Sequence, residues 1–234
     1  MTGRVHSIQS LGAADGPGIR FVLFLQGCNL RCGYCHNPDT QSVKGGVEYS
    51  AEEIVKKSTR YREYFGTEGG ISVSGGEPLL QAAFVREVFA LARAEGINTC
   101  LDTSGCIRND EVEARLSVTD RVLLDVKFPT DEQYKKFVGC SRSAPLRFLE
   151  ALEKRGIKTT LRRVIVPSLN DSEESVLDLA KIRRTHSCVD KIELLPFRKL
   201  CSVKYDTLGI PFPFKDYPEP SPEKMRDIEA LLTT

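Results

Sequence analysis

No part of this 234-residue chain is apolar for long enough to cross a membrane: its uninterrupted runs, such as Phe21 to Leu25 and Val122 to Leu124, are of strand length. Neither sign of charge is in excess. With 33 Lys and Arg against 32 Asp and Glu, the net charge of +1 shows no polyelectrolyte bias and does not point to nucleic acid as a partner. No signal-like stretch opens the sequence, so the expected address is cytoplasmic. A disulfide framework is also missing. Cys100, Cys106, Cys140, Cys188 and Cys201 are scattered along the chain and form no second cluster motif, which reads as buried or incidental thiols in a reducing compartment. A chain of this length with 41% hydrophobic residues can bury one substantial core, and the expected organisation is a single catalytic domain.

What the chain does have is three cysteines in eight residues, Cys28, Cys32 and Cys35, in the run QGCNLRCGYCHNPDT. Three thiolates from one short loop suit three irons of a cubane iron–sulfur cluster, and with no fourth cysteine nearby one iron is left open to a substrate or cofactor. Electron carriers usually close all four corners, so the triplet argues for catalysis. The alternative is a structural Cys3His zinc site with His36 as fourth ligand. Adjacent residues such as Cys35 and His36 rarely ligate one tetrahedral ion well, and the second cysteine pair usual in zinc knuckles is absent. A disulfide would leave one thiol of the three unpaired.

Around the triplet, strand and helix patterns alternate. Strands are predicted at Ile19–Gln26, Ile71–Ser74, Asn98–Asp102, Arg121–Val126, Thr159–Val166 and Lys191–Leu195. Helices are predicted from a Ser50/Glu53 capping box to about Tyr64, over Gln81–Glu95, Pro145–Arg155 and Glu173–Arg184, and from near Ser221. Six β/α units imply a parallel sheet with helical crossovers, and suit a partial (β/α) barrel better than a complete eight-stranded one; the count alone leaves a flat doubly wound sheet open.

The unusual residues fall at or just beyond the C-terminal ends of the predicted strands, the edge where parallel α/β sheets bind ligands. The cysteine loop follows the first strand, Ser74-Gly75-Gly76-Glu77 the second, Asp102-Thr103-Ser104-Gly105 the third, Asp125-Val126-Lys127 the fourth and Pro196-Phe197-Arg198 the sixth. Gly75 and Gly76 let backbone approach a ligand closely, with carbonyls and the Glu77 carboxylate as acceptors for an ammonium group; a plain strand-to-helix turn is the alternative. Asp102 and Asp125 end neighbouring strands in apolar surroundings. A shared cation would relieve both, or each caps a helix or pairs with Lys127 or Arg162.

The C-x3-C-x2-C spacing, with Tyr34 before the last cysteine, resembles the signature of the radical S-adenosylmethionine (radical SAM) superfamily. The stretch from Gly3 to Thr40, followed in order by SGGEPLLQ, CLDTSG, LLDVKF, LRRVIVPSLND and KIELLPF, resembles the glycyl-radical-enzyme activases within it. The resemblance implies a partial (β/α)6 barrel of the radical SAM type, with residues 1–18 as an N-terminal segment, 19–200 as the core and 201–234 as a C-terminal wrap and helix. It implies a [4Fe-4S] cluster on Cys28, Cys32 and Cys35, and S-adenosylmethionine contacted by Tyr34, Cys35, His36, Gly75, Gly76, Glu77, Asp125, Val126, Lys127 and Arg162. Asp102, Thr103, the Leu123 backbone and Asp125 match a monovalent-cation site, and Asp15 and Arg20 match a segment beside the substrate peptide.

The reaction implied is reductive cleavage of S-adenosylmethionine, followed by abstraction of a glycine Cα hydrogen from a macromolecular substrate under anaerobic conditions. Several activases carry a ferredoxin-like insert with further cysteine clusters after the first motif; only about ten residues follow Thr40 here before the predicted helix. That favours pyruvate formate-lyase as the partner, with other insert-free targets as the alternative. The family also implies reduced flavodoxin or ferredoxin as electron donor, and a monomer is expected. Arg198 stands at a cofactor-contacting position and is a further candidate contact, although the family usually has histidine there, and Cys201 departs beside it. The proline-containing tail from Pro211 to Pro222 reads as an ordered or semi-ordered wrap before the final helix.

Overall fold

Eight strands and eight α-helices are present among the residues described by the computed structural model, which are 1–107, 112–113 and 116–232. In chain order they are β1 (Thr2–Gly12), β2 (Arg20–Leu25), β3 (Val47–Ser50), α1 (Ala51–Thr59), α2 (Arg62–Phe65), β4 (Gly70–Gly75), α3 (Ala82–Ala94), β5 (Asn98–Thr103), β6 (Arg121–Asp125), α4 (Asp131–Phe137), α5 (Ser143–Arg155), β7 (Lys158–Ile165), α6 (Glu173–Thr185), β8 (Val189–Pro196), α7 (Ser202–Leu208) and α8 (Pro222–Ala230). The strand order is β3-β1-β2-β4-β5-β6-β7-β8, a linear arrangement ending on β3 and β8. All six predicted strands occur, as β2 and β4 to β8. The pairs β2/β4, β4/β5 and β7/β8 are parallel. β1 pairs antiparallel with both β2 and β3, an addition the sequence does not suggest.

The chain divides into two compact units. The first comprises Met1–Asn29 and Thr40–Leu123, the second Leu30–Asp39 and Leu124–Thr234. In the first, β2 and β4 are buried along nearly their whole length, the pattern of parallel strands covered on both faces. α1 begins as expected: the Ser50 hydroxyl accepts from the Glu53 N–H, and the Glu53 carboxylate accepts from the Ser50 N–H, completing the capping box. In α3, Phe84, Val85, Val88, Phe89 and Ala92 supply the buried stripe.

The second unit is built on β7, β8 and the helices α4 to α8. Ser172 and Ser221 cap α6 and α8, and α5 ends on Gly156 in the left-handed conformation. Two helices, α4 and α7, form where the sequence suggests irregular chain. α4 has the Thr130 cap yet buries only Tyr134, and α7 buries only Tyr205, so neither carries a hydrophobic period to announce it. The tail is ordered as expected. Phe214 is 2% exposed, with edge-on contacts to Tyr34, Phe137 and Phe197, while Phe212 stacks on Tyr205 at 4.6 Å.

Candidate active site

In the first unit, the end of β2, the start of the cysteine loop and the Gly-Gly-Glu turn are held together by backbone hydrogen bonds. The Gly76 N–H donates to the Leu25 carbonyl at 3.0 Å and the Glu77 N–H to the Gly27 carbonyl at 2.9 Å. The Gly27 N–H in turn donates to Thr40 at 2.8 Å, and the Cys28 N–H to Gln41 at 3.2 Å. This approach requires glycine. Gly75 has φ +111° and a Cβ there would lie 2.3 Å from the Leu25 nitrogen, while a Cβ on Gly76 would lie 2.1 Å from the Gly27 carbonyl oxygen.

Glu77 does something other than reach for a ligand. It is 1% exposed, and its carboxylate accepts from the Thr103 hydroxyl at 2.6 Å, the Leu79 N–H at 3.1 Å, the Ser104 N–H at 3.0 Å and the Ser104 hydroxyl. Two donors on each oxygen occupy the roughly four lone-pair positions a carboxylate offers. Glu77 therefore ties the turn after β4 to the end of β5. The Ser74 hydroxyl donates to the Asp102 carboxylate at 2.8 Å, so Asp102 is engaged from β4 and Thr103 from Glu77. Ser74 and Ser104 are contributors that the sequence patterns name only as parts of motifs.

Asp15 lies in the same unit. Its carbonyl accepts from the Ser72 hydroxyl at 2.6 Å, and strand periodicity puts Ser72 on the same face of β4 as Ser74. Arg20, expected beside a peptide substrate, is fully buried. Its guanidinium donates to the Ser72 hydroxyl, the Glu68 and Ile71 carbonyls and the Asn98 side chain at 2.7–2.9 Å. A side chain so committed anchors the Asp15–Gly18 turn and has no surface to offer a substrate.

In the second unit are Cys32, Tyr34, Cys35 and His36 of the cysteine loop, with Asp125, Val126 and Lys127 after β6, Arg162 on β7 and Arg198 after β8. The Cys35 N–H donates to the Cys32 carbonyl at 3.0 Å, a tight turn joining two of the thiols. Lys127 stands 6.0 Å from the centre of the Tyr34 ring and donates to the Asp125 carboxylate at 2.6 Å. Burial pushes the Lys127 ammonium down, but Asp125, the charge of Cys32 and Tyr34 outweigh it and hold the group well above its ordinary value, charged. Burial pushes the Tyr34 phenol well above its usual range, against the opposing pull of Lys127. His36 is lowered, by burial and by the Lys204 charge, with Asp39 acting the other way.

The Val126 N–H donates to the Arg162 carbonyl at 2.9 Å. The Arg162 side chain is 9% exposed and lies 3.7 Å from the Glu193 carboxylate, beyond hydrogen-bonding length. Arg198 is exposed and pairs with Glu219 of the tail at 2.9 Å. Of the residues matched to a cation, Leu123 is buried and Asp125 is taken by Lys127. Among the described residues no three His, Cys, Asp or Glu side chains converge as they would on a single metal ion.

A cubane does not ask for such convergence, because each cysteine binds its own iron. The donor set fits one. All three cysteines are in no disulfide and partly exposed, whereas Cys100, Cys188 and Cys201 are buried. The Tyr34 hydroxyl, next to Cys35, is buried with no hydrogen-bond partner among the described residues, where buried hydroxyls ordinarily have one. An orphan there fits a polar group that the protein's own atoms do not supply.

The chain is similar to known proteins over nearly its whole length. The family model described as the radical SAM superfamily matches residues 22–180. The pyruvate formate-lyase-activating enzyme of Clostridium pasteurianum is 44% identical over 231 residues, covering 98% of this chain and 97% of that protein. The pyruvate formate-lyase 1-activating enzyme of Escherichia coli (strain K12) is 40% identical over 233 residues, covering 98% and 95%. Among solved structures, a radical SAM methyltransferase from Sphaerobacter thermophilus superposes with a TM-score of 0.64 at 17% identity, covering 92% of this chain and 63% of that one, a likeness of fold.

Proposed function

The chain belongs to the radical SAM superfamily, and from that premise we propose that it is the activating enzyme of pyruvate formate-lyase, installing a glycyl radical in that partner under anaerobic conditions. The observation that carries the reading is the end-to-end likeness to enzymes of that name, cysteine triplet included. When bound, the cluster supplies the electron that cleaves S-adenosylmethionine to methionine and a 5′-deoxyadenosyl radical able to take a glycine Cα hydrogen.

The protein's own part is to hold ligands, orient and exclude water. Cys28, Cys32 and Cys35 would each take one iron, leaving the fourth to the amine and carboxylate of S-adenosylmethionine. The carbonyls of the Gly75-Gly76 turn, pinned in place by Glu77, are acceptors for that amine. Lys127 and Arg162, buried cations, suit its carboxylate. The Tyr34 hydroxyl offers a donor that has no partner among the described residues. A glycine is a sensible target because its Cα radical can flatten and delocalise into both flanking peptides without a side chain in the way. Asp15, on the Ser72 face of β4, is assigned to the peptide that carries it.

Reduced flavodoxin or ferredoxin is the proposed electron donor, the chain is proposed to act as a monomer, and eight cysteines in no disulfide together with the absence, among the described residues, of a helix fit to span a membrane support a cytoplasmic setting. Electron paramagnetic resonance on anaerobically reconstituted, reduced protein mixed with S-adenosylmethionine and pyruvate formate-lyase tests the reading. A glycyl-radical doublet that disappears in Cys32→Ala is expected. A cluster signal indifferent to S-adenosylmethionine would overturn it.

A further inference from the structure

The cysteine loop is gripped from two sides within the second unit. On one side its backbone is tied to the end of α4, where the Arg31 N–H donates to the Val138 carbonyl at 3.1 Å and the Gly33 N–H to Phe137 at 2.9 Å. On the other side it is held by the segment between Ser202 and Phe214. The Tyr205 hydroxyl donates to the Cys35 carbonyl at 3.1 Å, and the Lys204 ammonium to Asn37 at 2.8 Å and Asp39 at 3.2 Å. Phe214 packs so closely on Gly33 that a Cβ there would lie 2.1 Å from the ring, and it meets Tyr34 edge-on at 5.7 Å.

We infer that the segment from Ser202 to Phe214 is a clamp for the cluster loop, and that Tyr205 is its positioning residue, acting through the Cys35 carbonyl. The inference rests on the reading that this loop carries the cluster. Two features give Tyr205 that role. Its ring is 3% exposed and stacked on Phe212, so the hydroxyl has a fixed place. Its acceptor closes the turn in which the Cys35 N–H bonds to Cys32, so one contact constrains the residues bearing two of the three sulfurs. A cluster with three protein ligands lacks a fourth covalent tie, which leaves the loop's own order to retain it. The clamp lies outside residues 22–180, the stretch that the superfamily model matches, so it is an attachment of this chain to that core.

Tyr205→Phe keeps the stacked ring and removes only the donor. Hydrogen exchange on the iron-free chain, read by mass spectrometry over residues 28–40, is expected to speed up about fivefold, the worth of one net hydrogen bond. The melting temperature should stay near that of the unaltered protein. Iron release from the reconstituted protein to a chelator should accelerate by a similar factor, and the reduction potential of the cluster should move to more negative values as a nearby O–H dipole is lost. Lys204→Met, which releases Asn37 and Asp39 instead, should loosen the same peptide. Unchanged exchange and iron release in both variants would overturn the clamp. Faster exchange in a protein that takes up no iron would keep the clamp and overturn the cluster reading.

Discussion

Glu77 is where the sequence pattern and the coordinates ask for different experiments. Read as a ligand-contacting acid, its loss should weaken S-adenosylmethionine binding and leave the ligand-free protein as stable as before. The structure predicts the opposite emphasis. Glu77→Ala strands the Leu79 and Ser104 N–H groups and the Thr103 and Ser104 hydroxyls in a site that is 1% exposed. A hydrogen bond to a charged group is worth roughly 1.5–3 kcal/mol. The two hydroxyls can rotate to new acceptors, so the penalty concentrates on the two N–H groups, and a loss of about 4 kcal/mol is expected, near the top of the range for single substitutions. With a urea slope of about 3 kcal/mol/M, the unfolding midpoint of the ligand-free protein should fall by more than about 1 M. Glu77→Gln keeps the shape but sets an NH2 against one fixed N–H, for a loss of about 1–2 kcal/mol. Circular dichroism in urea checks both. A ligand-free Glu77→Ala protein within about 1 kcal/mol of the unaltered one, with its defect confined to ligand binding, would refute the reasoning.

Asp178 accepts from Arg142 at 2.7 Å and from the fully buried Arg163 at 3.0 Å. Asp178→Ala leaves Arg163 an uncompensated buried charge and should destabilise by about 3–5 kcal/mol in thermal unfolding, well beyond the effect of Arg142→Ala; equal effects would show that the pair is not the source. Glu153 is held down to about 2 by the Cys188 thiol and N–H and by Ser187, so its stabilising contribution is complete above its unfolded value of 4.5 and is lost as pH falls from there towards 2. Melting temperatures between pH 5 and 2 should therefore decline less steeply in Glu153→Gln than in the unaltered protein. Burial raises the Cys100 thiol to about 11 and, with Glu153, the Cys188 thiol to about 12. At pH 8 the thiolate of Cys100 is about a hundredfold scarcer than that of an ordinary cysteine. Iodoacetamide mapping of the iron-free chain should label Cys28, Cys32 and Cys35 long before either buried thiol.

β2 and β6 were legible from the apolar runs Phe21–Leu25 and Val122–Leu124, largely buried in the structure, and the other expected strands from shorter apolar stretches closed by a glycine, aspartate or proline signal. β1 was not, since its exposed positions alternate with buried ones that include glycine, Gly3 and Gly12, and its ladder is supplied by β2 and β3. In the site, Cys28, Cys32 and Cys35 could be named from spacing alone, because a cluster's ligands come from one short loop. The work of Glu77 could not. Its motif marks the place but not the direction of its carboxylate, which depends on Thr103 and Ser104 arriving from the next strand. The packing role of Arg20 was hidden for the same reason: DGPGIR describes a turn, and only the structure shows its arginine enclosed by β4 and β5 residues.

The sequence by itself determined the chemistry this chain can do and the side of the sheet on which it does it, since ligand spacing and strand ends are local properties. Tertiary structure alone decided what holds that chemistry in place. Tyr205 is 170 positions from Cys35, and Phe214 meets Gly33 from the far end of the chain. Contacts between residues so distant carry no period and no spacing, and they exist only once the fold has closed the loop between them.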